Sequence, residues 1–216
     1  MTSAWPWIAL VGLGAFHGLN PAMGWLFAVA LGLQSQSRAA LLWALIPIAA
    51  GHALAIVVVV IAVGVVRALV DLRTLQIGAA VLLVVFGLNR LLTRHRARVG
   101  MQVGSGDLLI WSFLMATAHG AGLMLIPVLL EMPVGTAHHE HGHMTDATGI
   151  GGSAMTGVAA VVVHTAAMLV TAGVVALAVY QWAGLAFLRR GWINLDLLWV
   201  IALVGAGLIL LIAAIR

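Results

Sequence analysis

The chain has no cysteine and no lysine, a single tyrosine, and only 7% charged residues among its 216. Without cysteine there is no thiolate metal site, no disulfide and no dithiol redox chemistry. Its ten basic residues are all arginines, set singly or in small groups between apolar runs. They form no basic face of the kind that holds nucleic acid. Soluble domains carry about 25% charged residues. This chain is 63% hydrophobic with a mean hydropathy of +1.16, too little polar surface for a fold in water. The N-terminus lacks the basic stretch of a cleavable signal peptide, and its first apolar run is too long for one, so none is expected. What remains is an all-α polytopic membrane protein. The apolar runs do not alternate as barrel strands do, and in lipid the backbone must then satisfy itself in helices.

Charges and turn signals divide the chain into six transmembrane spans: Trp5–Leu33, Leu41–Val66, Leu75–Leu92, Leu108–Leu130, Ser153–Tyr180 and Leu195–Ile215. Each is long enough, at around 20 residues, to cross a bilayer as a helix. Arg38, Arg90, Arg94, Arg96, Arg98, Arg189 and Arg190 fall on one side, and Arg67, Arg73 and Arg216 on the other. The richer side is cytoplasmic by the positive-inside rule. This predicts a multi-pass protein of the plasma (inner) membrane with both termini outside.

Histidines break the apolar pattern. His17 stands in Phe16-His17-Gly18-Leu19-Asn20-Pro21, and His119 in Ala118-His119-Gly120 ahead of Pro127. His52 and His164 follow them by 35 and 45 residues. Spans one, two, four and five thus carry one histidine each, and spans three and six carry none. The chain reads as two inverted three-helix repeats. Residues 1–100 hold the basic cytoplasmic loop, and residues 101–216 hold a His-rich outer loop at 131–152. All four histidines lie eleven or twelve residues into their spans. That is roughly 17 Å deep, near the midplane of a core roughly 30 Å thick. Inverted repeats sharing a midplane site are a recurring transporter design.

A single membrane histidine is ordinarily a helix–helix hydrogen bond worth about 1 kcal/mol. Four at one depth point to a pathway or site. Neutral imidazole binds Ni, Co, Cu and Zn, and it relays protons near neutrality. Met23, Met115, Met124 and Met168 lie near the histidines. They read as core filling or as soft ligands suited to Cu(I). Gly18 with Pro21, and Gly120 with Pro127, predict helix breaks. Pro21 frees the carbonyl of His17, and Asn20 is the side chain expected to meet the substrate. No Asp or Glu lies within a span apart from the ends, where Glu131 and Asp196 stand. In the outer loop His138, His139, Glu140, His141 and His143 read as a metal-capture tract.

The His17-Gly18-Pro21 and His119-Gly120-Pro127 segments resemble the histidine–glycine helices of the LysE superfamily, particularly its NicO-like nickel/cobalt branch. The resemblance implies six spans in two halves, a histidine-rich hydrophilic loop, and movement of a small solute by alternating access. Nickel/cobalt members place a carboxylate beside their membrane histidines, whereas Asn20 and Met23 stand here. The resulting expectation is a small secondary transporter, not an enzyme, moving a transition-metal ion through a midplane site lined by His17, His52, His119 and His164. Export of an amino acid or small polar solute, and a membrane haem or metal-binding protein, stay open as alternatives. The partners expected are the lipid bilayer and the metal ion or small solute, not nucleic acid; a homo-oligomer is left open. No fixed cofactor is assigned.

Overall fold

The computed structural model describes residues 4–92, 104–132, 147–183 and 195–215. Every regular element among them is helical. In order these are α1 (Trp5–Leu19), a short 3-10 turn (Pro21–Met23), α2 (Trp25–Gln34), α3 (Arg38–Leu69) and α4 (Leu72–Leu92). Then come α5 (Ser105–Ala118), a second 3-10 turn (Leu123–Leu125), α6 (Ile126–Glu131), α7 (Ala147–Ala178), which ends in a π turn at Val179–Ala183, and α8 (Leu195–Ile215). The polar residues mark the starts. Ser37 accepts the Ala40 N–H ahead of α3, and Asp107 accepts the Gly104 N–H at the start of α5. Asp71 accepts both the hydroxyl and the N–H of Thr74 at the start of α4. Those bonds hold the Asp71 carboxyl below the usual range.

Three helices, α3, α4 and the described part of α7, are individually long and apolar enough to cross a membrane. A fourth crossing is made if α5 and α6, bent by 53° at their break, count together. The first expected span is divided into α1 and α2, each a shorter apolar helix. α7 begins at Ala147, inside the segment expected as outer loop. The His-rich tract from His138 to His143 lies outside the described residues, as do Arg94, Arg96, Arg98, Arg189 and Arg190.

Helices from the two ends of the sequence interleave. α1 packs chiefly along α7, α3 along α5, and α4 along α8. Glycine sets how close they come. A Cβ on Gly14 would collide with the His164 carbonyl oxygen, and one on Gly18 with the Met168 carbonyl oxygen. The Gly14-x-x-x-Gly18 spacing thus lays the α1 backbone directly on α7. On the other side, a Cβ on Gly51 would collide with the Leu109 carbonyl oxygen of α5. Ser112 of α5 reinforces that seam by donating to the Ile48 carbonyl at 2.7 Å.

Gly51→Ala is expected to destabilise the detergent-solubilised protein by more than about 2 kcal/mol, because the new methyl meets backbone that cannot turn away. Gly64→Ala, in the same helix but facing open space, is expected to be neutral or stabilising by up to about 1 kcal/mol. Equal unfolding midpoints for the two variants would contradict this packing.

Candidate metal centre

His17 is the thirteenth residue of α1, while His52 and His164 sit near the middles of α3 and α7. The close seat of α1 on α7 aims His17 and His164 at each other, with ring centroids 4.9 Å apart and planes at 76°. His52 enters from α3. Its ring lies 5.2 Å from that of His17 and runs nearly parallel to that of His164, at 5.6 Å and 7°. One ring nitrogen from each histidine lies within 4.8 Å of the others, and all three residues are 0% exposed. A metal bound at about 2.0–2.1 Å from its nitrogens holds them roughly 3.3–3.5 Å apart. The Nε2 atoms of His52 and His164 are already 3.4 Å apart. A pair at the outer limit would have to close by roughly 1.4 Å to reach the same spacing.

Backbone carbonyls fix the tautomers. His17 Nδ1 lies 2.7 Å from the Leu13 carbonyl oxygen, and His164 Nδ1 lies 3.2 Å from that of Leu10. A carbonyl only accepts, so both Nδ1 atoms carry the proton, and in the neutral rings Nε2 is the unprotonated nitrogen. This carbonyl-supported tautomer is the one metal-ligating histidines use. His52 completes the set by donating from Nε2 to His164 Nε2, which leaves its own Nδ1 buried with no hydrogen-bond partner. An unmet buried polar atom costs about 1–3 kcal/mol, and such groups concentrate where function requires them.

Apolar side chains close the site from both ends. Toward the Trp5 end of the bundle, Leu10, Ile56 and Ala160, one or two turns from the three histidines, pack with Leu125, Val128 and Leu129 of the α6 region. Toward the opposite end, Ile48 and Met168, each one turn from a histidine, pack with Trp25, Ala28 and Val29 of α2. Both short helices follow glycines in left-handed backbone, Gly24 at φ 112° and Gly120 at φ 69°, where a side chain would strain the turn. The C-terminal end of α6 is held by Arg67 of α3, whose Nη1 donates to the Leu129 and Met132 carbonyls. Trp5 Nε1 donates to Glu131.

The other expected residues are placed as follows. His119 is 3% exposed and caps α5, its Nδ1 donating to the Met115 carbonyl; it lies outside the three-histidine group. The break after Ala118 ends the helix before His119 can project from a regular turn. The helix breaks at Gly18–Pro21 and Gly120–Pro127 are present. The His17 carbonyl is not left free by Pro21, however, because the Asn20 N–H takes it at 3.1 Å. Asn20 is 4% exposed. Its Oδ1 accepts the Ala22 N–H, while its Nδ2 is buried with no partner. Met168 and Met124 are buried within apolar clusters, Met23 is buried, and Met115 is half-buried. Gly14, Ser112 and Arg67 were missed as contributors. Only the four-residue spacing of Gly14 and Gly18 carried a readable signal.

Comparison with known protein families, with curated proteins and with solved structures finds no match. The functional argument therefore rests on the site itself.

In 15N spectra of histidine-labelled, metal-free protein, His17, His119 and His164 are expected as Nδ1-protonated neutral tautomers. Protonation at Nε2 of His17 or His164 would remove the lone pairs on which the centre depends.

Proposed function

We propose that the protein is a small secondary transporter of the LysE-like kind that moves a transition-metal ion across the plasma membrane through the centre formed by His17, His52 and His164. The observation that carries this reading is the convergence of three buried imidazoles from three separate helices, two of them with carbonyl-fixed lone pairs. Buried groups of this sort at the heart of a membrane bundle mark pathways and sites.

The proposed architecture is six crossings in two inverted halves, with both termini outside. Support comes from the reciprocal pairing of α1 with α7, α3 with α5 and α4 with α8, and from a break at a corresponding place in each half. In this reading α2 and α6 are the moving parts. Swinging of α6 about Gly120 opens the histidines to one side, and swinging of α2 about Gly24 opens them to the other. Only one apolar plug is withdrawn at a time. The long helices α3 and α7 stay as the frame. In the closed state of this cycle Arg67 and the Trp5–Glu131 bond hold the α6 plug shut.

An ion suits the site better than the alternatives. The three rings touch one another, leaving no volume for an amino acid in this state. Haem between His52 and His164 would need a porphyrin-sized slot, whereas their Nε2 atoms are 3.4 Å apart with His17 edge-on to both rings.

Reconstituted in liposomes, the wild-type protein is expected to pass at least one of Ni, Co, Cu or Zn down its gradient. His52→Ala and His164→Ala are each expected to lower that flux by more than about tenfold while keeping the wild-type elution profile. Unchanged flux in both variants would sink the proposal.

A further inference from the structure

We infer that the ion this centre is made for is a monovalent, soft cation, Cu(I), with Ag(I) as its redox-silent equivalent; the inference rests on the transport reading above. Charge is the first argument. The donors are imidazoles, which bring no negative charge, and the Leu13 and Leu10 carbonyls fix the proton of His17 and His164 on Nδ1. Among the described residues the carboxylates whose side chains are seen, Asp71, Asp107 and Glu131, are exposed at helix ends, and none joins the donor group. The cost of moving an ion out of water rises with the square of its charge, so a divalent ion here meets about four times the penalty of a monovalent one. No anionic donor in the group offsets it.

Coordination is the second argument. One or two turns from the histidines along their own helices stand buried apolar residues, Leu10 and Ile56 on one side and Ile48 and Met168 on the other. Divalent nickel, cobalt and zinc complete their shells with a fourth or further donor, commonly water or carboxylate. Cu(I) is stable with as few as three nitrogen donors and takes thioether readily. The buried thioether of Met168 stands one turn beyond His164 on α7. The third argument is His52. Its Nδ1 is buried without a partner while its Nε2 is engaged with His164, so the Nε2 hydrogen bond is the one contact the ring gives up to take a cation. Ion entry breaks the His52–His164 hydrogen bond and moves the His52 proton from Nε2 to Nδ1, which leaves three Nε2 lone pairs on one centre.

The test is competitive binding to the full-length protein in detergent, without oxygen, using Ag(I), Cu(I), Zn, Ni and Co in turn. 15N-histidine spectra report which rings shift. The expected result is one Ag(I) or Cu(I) per chain, shifting Nε2 of His17 and His164, held more than about 100-fold tighter than any divalent ion. His52→Phe, which preserves a buried ring, is expected to abolish that binding without lowering the unfolding midpoint below that of His52→Ala. Divalent binding on the same three rings that is as tight as Ag(I) overturns the monovalent assignment and leaves the transport reading standing. No perturbation of these rings by any of the five ions overturns both.

Discussion

Hydrocarbon offers a buried N–H no water, so each imidazole in this bundle must find its acceptor within the protein. His17 finds it in its own helix, on the Leu13 carbonyl. His164 must reach across to Leu10 of α1, and it does so only because α1 lies against α7 without side chains between them. The hydrogen bond and the glycine seam therefore depend on each other. A larger residue at position 14 would lift α1 away, strand the His164 Nδ1–H, and change the tautomer that leaves Nε2 open. The orientation of the donor set, the closeness of the rings and the packing of the bundle follow from that single approach.

Around this fixed layer the rest of the bundle is built unequally. α3 and α7 run unbroken for 32 residues each past the histidines. α2 and α6 are short, begin after glycines in left-handed backbone, and contribute apolar side chains to the two clusters that seal the site. Long helices packed backbone to backbone resist bending, while a short helix on a glycine can turn about one residue. Under the transport reading this division of labour supplies both a rigid site and two gates, and it explains why the polar bonds of Arg67 and Trp5 gather at the free end of α6.

Much of this was legible beforehand. Low charge and long apolar runs announced helices in a membrane. Gly18 and Pro21, with Gly120 and Pro127, announced the two breaks, since proline removes a helix hydrogen bond wherever it stands. The four membrane histidines were conspicuous as polar groups out of place. Less legible was their company. His119 shares the motif of His17, yet its neighbouring glycine turns left-handed one residue later, and the helix ends at the histidine instead of beyond it. The His17 carbonyl looked free because Pro21 has no N–H, but Asn20 supplies one from the next residue back. Ser112 and Arg67 act through carbonyls 64 and 62 or more residues away, and no local pattern encodes such a pairing.

The sequence alone determined the apolar character of the chain, the helical class, the places where helices break and the identity of the ionisable groups within them. These depend on composition and on neighbours a few residues apart. Which three histidines share a centre, which of their nitrogens carries the proton, and which apolar side chains pack around them were decided only by tertiary structure. Those properties turn on the ångström-scale approach of helices distant in sequence, set by where glycine leaves room for another backbone.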